Sequence, residues 1–406
     1  MRYANWQIWS SESLGELRAE LRESSDPAPY RRFDDDRSET GAHMRDAVHD
    51  AKLVAFIFSP LQALNLVEYS QRFDRQVDLV VVGGVSALEP TSRTQIEAVL
   101  SLVSPRKIMF REWGLRPIKP ISGRSATTTA VAALRANLSV GPYEFVVGEY
   151  RSAFSWAVLH RLKGLAQRVV VVDDGTAMLK IDRRRSVLKS SKVRRQKLKA
   201  LMFLMLGIRG AVSAADVTFF TAYAIGDRVA AGDTIVHNDY RTLSAKLREL
   251  PPDEERVYVI GTPHRESGVV RKDDDDVELA LDVIRFAIES TGKEAVYMAH
   301  RRERAEKLSA LREEVTVVTP DVPFEIYPLA IGKRPLTIVG YSSSLFVTAA
   351  ELLGDSVEII ALQIPRHYVS SSWLSFVDGV YRYYRTELAT AIRVVDRPMS
   401  PPGRQS

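Results

Sequence analysis

Apolar residues come in short unbroken runs separated by longer stretches with helical spacing. From Lys52 the runs Leu53 to Phe58, Val77 to Val82, Lys107 to Phe110, Phe145 to Gly148, Val169 to Val172 and Val217 to Phe220 read as strands. A parallel strand covered on both faces has no polar side, so it is written as a continuous apolar run rather than an alternation. A Pro-Pro-Asp-Glu-Glu segment from Pro251 interrupts the pattern, which resumes with Val257 to Ile260, Ala295 to Met298, Val315 to Val318, Thr337 to Val339 and Glu358 to Leu362. Strands alternating with helices predict βαβ units and parallel sheets, hence an α/β fold of two Rossmann-like domains over 51–250 and 251–366. Residues 1–50 are polar, with one helix expected from about Ser13 to Glu23, and read as an extension outside the core. Residues 367–406 are expected to form a helical segment and tail, its aromatic part Trp373 to Tyr384 being a final helix that crosses back to the first domain. No internal repeat is evident.

Composition changes this picture little. The chain has 406 residues, 45% of them apolar, enough for two cores of ordinary size. It has no cysteine, so disulfides and thiolate metal sites are excluded, and a cytoplasmic location is expected. The first residues lack the basic start and apolar run of a signal peptide, and no stretch reaches the roughly 18 apolar residues of a spanning helix. A net charge of +5 matters only through its placement.

Three islands at strand ends carry the candidate chemistry. Val172-Asp173-Asp174-Gly175-Thr176 puts two carboxylates at the mouth of a buried strand. Beside a hydroxyl, one of them can act as general base if burial and its neighbour raise its pKa, although Asp is equally suited to a turn or a helix N-cap. Tyr297-Met298-Ala299-His300 ends a second strand and is followed by Arg301-Arg302, a setting suited to a phosphate held by a protonated imidazole. Gly340-Tyr341-Ser342-Ser343-Ser344 ends a third and opens a helix, where hydroxyls and amides can cradle a phosphate or simply cap. Glu325, before another helical stretch, suits ribose hydroxyls or a cap. The acidic run Asp273 to Asp276 reads as a solvated helix start with no chemistry assigned, and Asp34-Asp35-Asp36 falls in the extension.

Charge is concentrated in one block: Arg183-Arg184-Arg185, Lys189, Lys192, Arg194-Arg195, Lys197 and Lys199, followed by Leu201 to Leu206, with no acid from Arg183 to Ala215. Residues 183–206 therefore suit an anionic membrane surface or a polyanionic glycan, against a solvated helix face or an RNA-binding patch. The basic block has no aromatic residues on which bases would stack, so no nucleic acid is expected.

Taken together, the islands resemble the (D/E)(D/E)G, HP and Ser-Ser/Thr motifs of the bacterial sialyltransferases and polysialyltransferases of GT-B fold, two Rossmann-like domains with a cleft between them. The likeness extends to Phe58-Ser59-Pro60-Leu61-Gln62-Ala63-Leu64-Asn65, Gly148-Glu149-Tyr150-Arg151, Phe219-Phe220-Thr221 and Ile260-Gly261-Thr262-Pro263, and covers roughly Lys52 to Leu362. It implies metal-independent, inverting transfer of sialic acid, or a related nonulosonic acid, from CMP to a hydroxyl of a glycan or glycolipid such as a capsule or lipooligosaccharide. By the same resemblance Asp173 is the general base and Asp174 orients it. His300 binds the CMP phosphate and assists its departure, Ser342, Ser343 and Ser344 hold that phosphate, and Glu325 binds ribose. Gly261 and Thr262 shape the base pocket, and Gln62 and Asn65 face the acceptor. One departure is clear: Arg301 stands where the family has proline. A CDP-glycerol-type glycerophosphotransferase of cell-wall polymers is the alternative enzyme, though that class follows its serines with an acid where this chain has Leu345-Phe346; a polyanion-binding protein is the non-enzymatic reading, and two-domain periplasmic binding proteins share the outline.

Overall fold

The computed structural model describes residues 51–84, 90–111, 120–138, 141–148, 150, 152–162, 166–183 and 216–396. The extension 1–50 and residues 184–206 of the basic block lie outside the described residues. The chain divides into two compact units, Met1–Asn238 and Asp239–Ser406.

The first unit is built on a seven-stranded sheet in the order β3-β2-β1-β4-β5-β6-β7. Its strands are β1 (Lys52–Ile57), β2 (Val77–Val82), β3 (Ile108–Phe110), β4 (Tyr143–Val147), β5 (Ala166–Val172), β6 (Thr218–Thr221) and β7 (Thr234–His237), all paired in parallel. The chain winds outward one way through β1, β2 and β3 and the other way from β4, so the topological switch point lies between β1 and β4. The helix Pro60–Arg72 begins sharply after β1: Pro60 supplies a first-turn residue needing no amide partner, and the Ser59 hydroxyl accepts the Gln62 N–H.

The second unit repeats the plan with six strands in the order β11-β10-β9-β13-β14-β15. They are β9 (Arg256–Ile260), β10 (Glu294–Met298), β11 (Thr316–Val318), β13 (Thr337–Gly340), β14 (Glu358–Leu362) and β15 (Ile392–Val395), again parallel. Its switch point lies between β9 and β13. The short strands β8 (Pro252–Asp253) and β12 (Arg334–Pro335) pair separately. The fold is thus α/β with two Rossmann-like domains, the composition expected of a GT-B chain.

Three details differ from the sequence reading. The strands β7 and β15 were not anticipated because both are short edge strands whose outer positions are exposed or half-buried, so neither writes a continuous apolar run. The units divide after Asn238 rather than at 250, because the helix Arg241–Glu249 packs on the second unit, its Ser244 hydroxyl donating to the Leu352 carbonyl at 2.8 Å. The aromatic segment forms the helix Leu374–Glu387, and it belongs to the second unit, where Tyr381 donates to the Leu362 carbonyl at 2.6 Å and Tyr384 to the Ser343 carbonyl at 2.6 Å.

Candidate active site

In open parallel sheets ligands bind beyond the carboxyl ends of the strands, at the switch point. Each unit brings sequence-predicted residues to that edge.

In the first unit β5 runs out at Val172, and Asp173 follows with 1% of its surface exposed. One carboxylate oxygen of Asp173, Oδ2, accepts the Ala222 N–H at 2.8 Å, which ties it to the end of β6. Its main-chain carbonyl accepts Asn65 Nδ2 at 3.1 Å, and Asn65 Oδ1 in turn accepts Asn238 Nδ2 at 3.1 Å, just beyond β7. Asp174 is half-buried, and its Oδ1 accepts Gln62 Nε2 at 2.6 Å. The orientation of that amide is set from behind, since Gln62 Oε1 accepts the Phe58 N–H at 2.6 Å at the end of β1. Room for Gln62 comes from Gly148 beyond β4, where a Cβ would lie 2.2 Å from Gln62 Oε1. Gln62 and Asn65, expected to face the acceptor, are 1% and 0% exposed, with their side chains bonded to the aspartate pair. Gln62 is thus bonded to the Asp174 carboxylate and Asn65 to the Asp173 carbonyl.

In the second unit the loops after β10, β9 and β13 issue from neighbouring strands, and they carry His300, Gly261-Thr262 and Ser342-Ser343-Ser344 respectively. His300 opens a turn closed by the Glu303 N–H donating to the His300 carbonyl at 2.9 Å. Arg301 occupies the second position of that turn, which proline also favours; it places a cation where the motif the sequence resembles has a ring. The His300 Nδ1 accepts the Arg302 N–H at 3.1 Å. Burial, then the charges of Arg301, Arg302 and Lys307, hold the imidazole pKa well below its ordinary value. The sequence reading expected a protonated ring; the protein's own groups favour the neutral one, which an arriving anion would oppose.

Beneath His300 lies a buried ionic network that the sequence reading did not include. Glu303 Oε2 accepts the His300 N–H at 2.7 Å, and Oε1 accepts the Tyr297 hydroxyl at 2.6 Å. Lys307 Nζ sits 2.6 Å from Glu303 Oε1 and 3.1 Å from Asp276 Oδ2, and donates to the Thr262 carbonyl at 3.2 Å. Gly261 is required here, because a Cβ would lie 2.3 Å from Glu303 Oε2. The network thus joins the loops after β9 and β10. Asp276 also corrects the reading of the acidic run: Asp273 is exposed and pairs with Arg265 and Arg304, but Asp276 is 1% exposed. Burial raises the Asp276 pKa, and its interactions with His264 and Lys307 outweigh that, leaving it below the ordinary carboxylate value.

Ser343 caps the helix Ser344–Leu353, its hydroxyl accepting the Leu345 N–H at 3.3 Å, and its main chain is bonded on both sides by the Tyr384 hydroxyl. Ser342, Ser343 and Ser344 are all half-buried at the strand end. Glu325 is half-buried as well; burial raises its pKa, opposed by its own backbone amide and by the charge of Arg301. Arg183 is the described member of the basic block, and it is not a surface cation: its guanidinium is bidentate on Asp233 at 2.5 and 2.8 Å, with 5% of its side chain exposed.

No protein-family model matches the chain, and no curated protein matches it by sequence. Among solved structures it is similar to an α/β-galactoside α-2,3-sialyltransferase from Photobacterium phosphoreum, at 10% identity over 85% of this chain and 98% of that one, TM-score 0.49. It is also similar to UDP-GlcNAc 2-epimerases from Methanocaldococcus jannaschii (9% identity, 85% and 88% covered, TM-score 0.43) and from Neisseria meningitidis, the latter bound to UDP-GlcNAc (10%, 83% and 91%, TM-score 0.42). Likenesses of this size transfer neither activity nor ligand.

Proposed function

We propose that the chain is a metal-independent inverting glycosyltransferase that moves sialic acid, or a related nonulosonic acid, from a CMP-activated donor to a hydroxyl of a bacterial surface glycan. The observation that carries the reading is the loop set of the second unit. The loops after β9 and β13, on either side of the switch point, bear Gly261-Thr262 and Ser342-Ser344, and the neighbouring loop after β10 bears His300 and Arg301. Hydroxyls, an imidazole N–H and a guanidinium at that edge suit a departing phosphate.

In the reaction the acceptor O–H gives its proton to a carboxylate of the Asp173-Asp174 pair. The acceptor oxygen bonds to the anomeric carbon from the face opposite the leaving group, and the carbon–oxygen bond to phosphate breaks. CMP leaves with that electron pair, its charge stabilised by His300, Ser342 and Ser344, while Glu325 holds ribose. Residues 184–206, basic and then apolar, would bring the enzyme to a lipid-linked acceptor at an anionic membrane surface; among the described residues no helix is long and apolar enough to cross a membrane.

The test is release of CMP from CMP-sialic acid by the purified chain, dependent on a glycan acceptor and carried out in chelator. Acceptor-dependent release supports the reading. Turnover of CDP-glycerol instead, or of no CMP-linked donor, contradicts it.

A further inference from the structure

Two of the proposed donor loops issue from the adjacent strands β9 and β10, and one buried side chain is tied to both. We infer that Lys307 is a positioning residue of the donor site: with Glu303 it fixes Thr262 and His300 in register before a nucleotide arrives, and so sets donor affinity without touching the donor. This rests on the transferase reading above.

Lys307 lies on the short helix Ala305–Leu311, and its side chain is buried. Its ammonium presents N–H donors to three acceptors. It donates to the Thr262 carbonyl at 3.2 Å, in the loop after β9. It also lies 2.6 Å from Glu303 Oε1, in the loop after β10, and 3.1 Å from Asp276 Oδ2, on the helix Asp273–Thr291. Asp276 has a second neighbour in the loop after β9, its Oδ1 lying 3.7 Å from His264 Nδ1. Glu303 carries the link on to His300, whose N–H it accepts through Oε2 at 2.7 Å. The Tyr297 hydroxyl, 2.6 Å from Glu303 Oε1, roots the same carboxylate in β10. The two loops are in close contact here, since a Cβ on Gly261 would lie 2.3 Å from Glu303 Oε2 and 3.0 Å from the His300 nitrogen.

At Thr262 the main chain is committed and the side chain is not. Its carbonyl is bound by Lys307, whereas its hydroxyl oxygen is buried and has no hydrogen-bond partner among the described residues. A buried hydroxyl without a partner is costly, and a nucleotide that supplies one removes that cost. A buried ion pair is only weakly screened by salt. It therefore holds both loops in place beforehand, and binding does not have to order them.

The experiment measures CMP affinity of the full chain by calorimetric titration, under conditions where urea unfolding shows each variant to be native. The variants are Lys307→Met, Glu303→Gln, His300→Ala and the two doubles with His300→Ala. Lys307→Met strands two buried carboxylates; Glu303→Gln keeps an acceptor for the His300 N–H while cutting the ionic link to Lys307, so the test does not depend on Lys307→Met folding. Lys307→Met and Glu303→Gln should each lower CMP affinity about 10-fold. With His300 already replaced, the same substitutions should cost only about threefold, because the route through Thr262 alone is left. A network serving stability alone would lower the unfolding midpoint and leave CMP affinity of the native variants within about twofold of the wild type. That result, or full additivity with His300→Ala, overturns the inference while leaving the transferase reading in place. Absence of CMP binding by the wild type overturns both.

Discussion

Glu303 Oε2 accepts the His300 main-chain N–H at 2.7 Å, while the other oxygen of the same carboxylate lies 2.6 Å from Lys307 Nζ. The proposed phosphate-binding loop is therefore anchored to a buried ion pair rather than to solvent-facing contacts. Lys307 and Glu303 have 2% and 0% of their side chains exposed, and Asp276, the second carboxylate on Lys307, has 1%. Removing one member of such a network strands the other charges. Lys307→Met should destabilise the fold by about 3–5 kcal/mol, measured by urea unfolding. Glu303→Gln keeps an acceptor for the His300 amide but weakens the ion pair, so it should lose less stability than Lys307→Met.

The depressed His300 pKa sets the sign of a pH effect. Unfolded histidine titrates at about 6.5 and the folded ring lower, so between those values the unfolded chain binds more protons and stability rises with pH. Stability should fall as pH drops below about 6.5, and His300→Gln should remove that component of the loss. Binding of CMP should draw a proton onto the ring. Lowering the pH should therefore strengthen CMP binding by the wild type relative to His300→Gln, in which protonation of the phosphate alone weakens it.

Arg301 stands where the motif the sequence resembles has proline. The turn from His300 to Glu303 accommodates proline at its second position, so Arg301→Pro should leave stability within about 0.5 kcal/mol. If the guanidinium contacts the donor's anionic group, CMP affinity should fall about 10–100-fold, as for loss of one hydrogen bond to a charged group. Calorimetric titration against CMP separates the two effects.

Gly148 holds open the space occupied by Gln62. A Cβ there would stand 2.2 Å from Gln62 Oε1, so Gly148→Ala must displace the side chain that orients Asp174. A stability loss of about 1–3 kcal/mol is expected from overpacking. Transfer should fall with CMP affinity unchanged.

Much of this was legible in the sequence because burial writes itself as apolar runs. The Val-rich β5 marked where Asp173 and Asp174 emerge, and the runs ending at Met298 and Gly340 marked His300 and the serines. The supports behind them were not legible. Glu303 and Lys307 lie in an arginine-rich stretch that reads as solvated, and Asp276 is concealed among acidic neighbours that are solvated. Gln62 was visible, but its role depends on space left by Gly148, 86 positions away in the chain.

The central claim, a CMP-releasing transferase, is tested most directly by a thermal-shift titration against CMP, CDP, UMP, UDP, GDP and ADP, since a ligand of the native state raises its stability by mass action. The account predicts selective stabilisation by CMP, diminished in His300→Gln. A preference for UDP or GDP, or no response to any nucleotide, would contradict it.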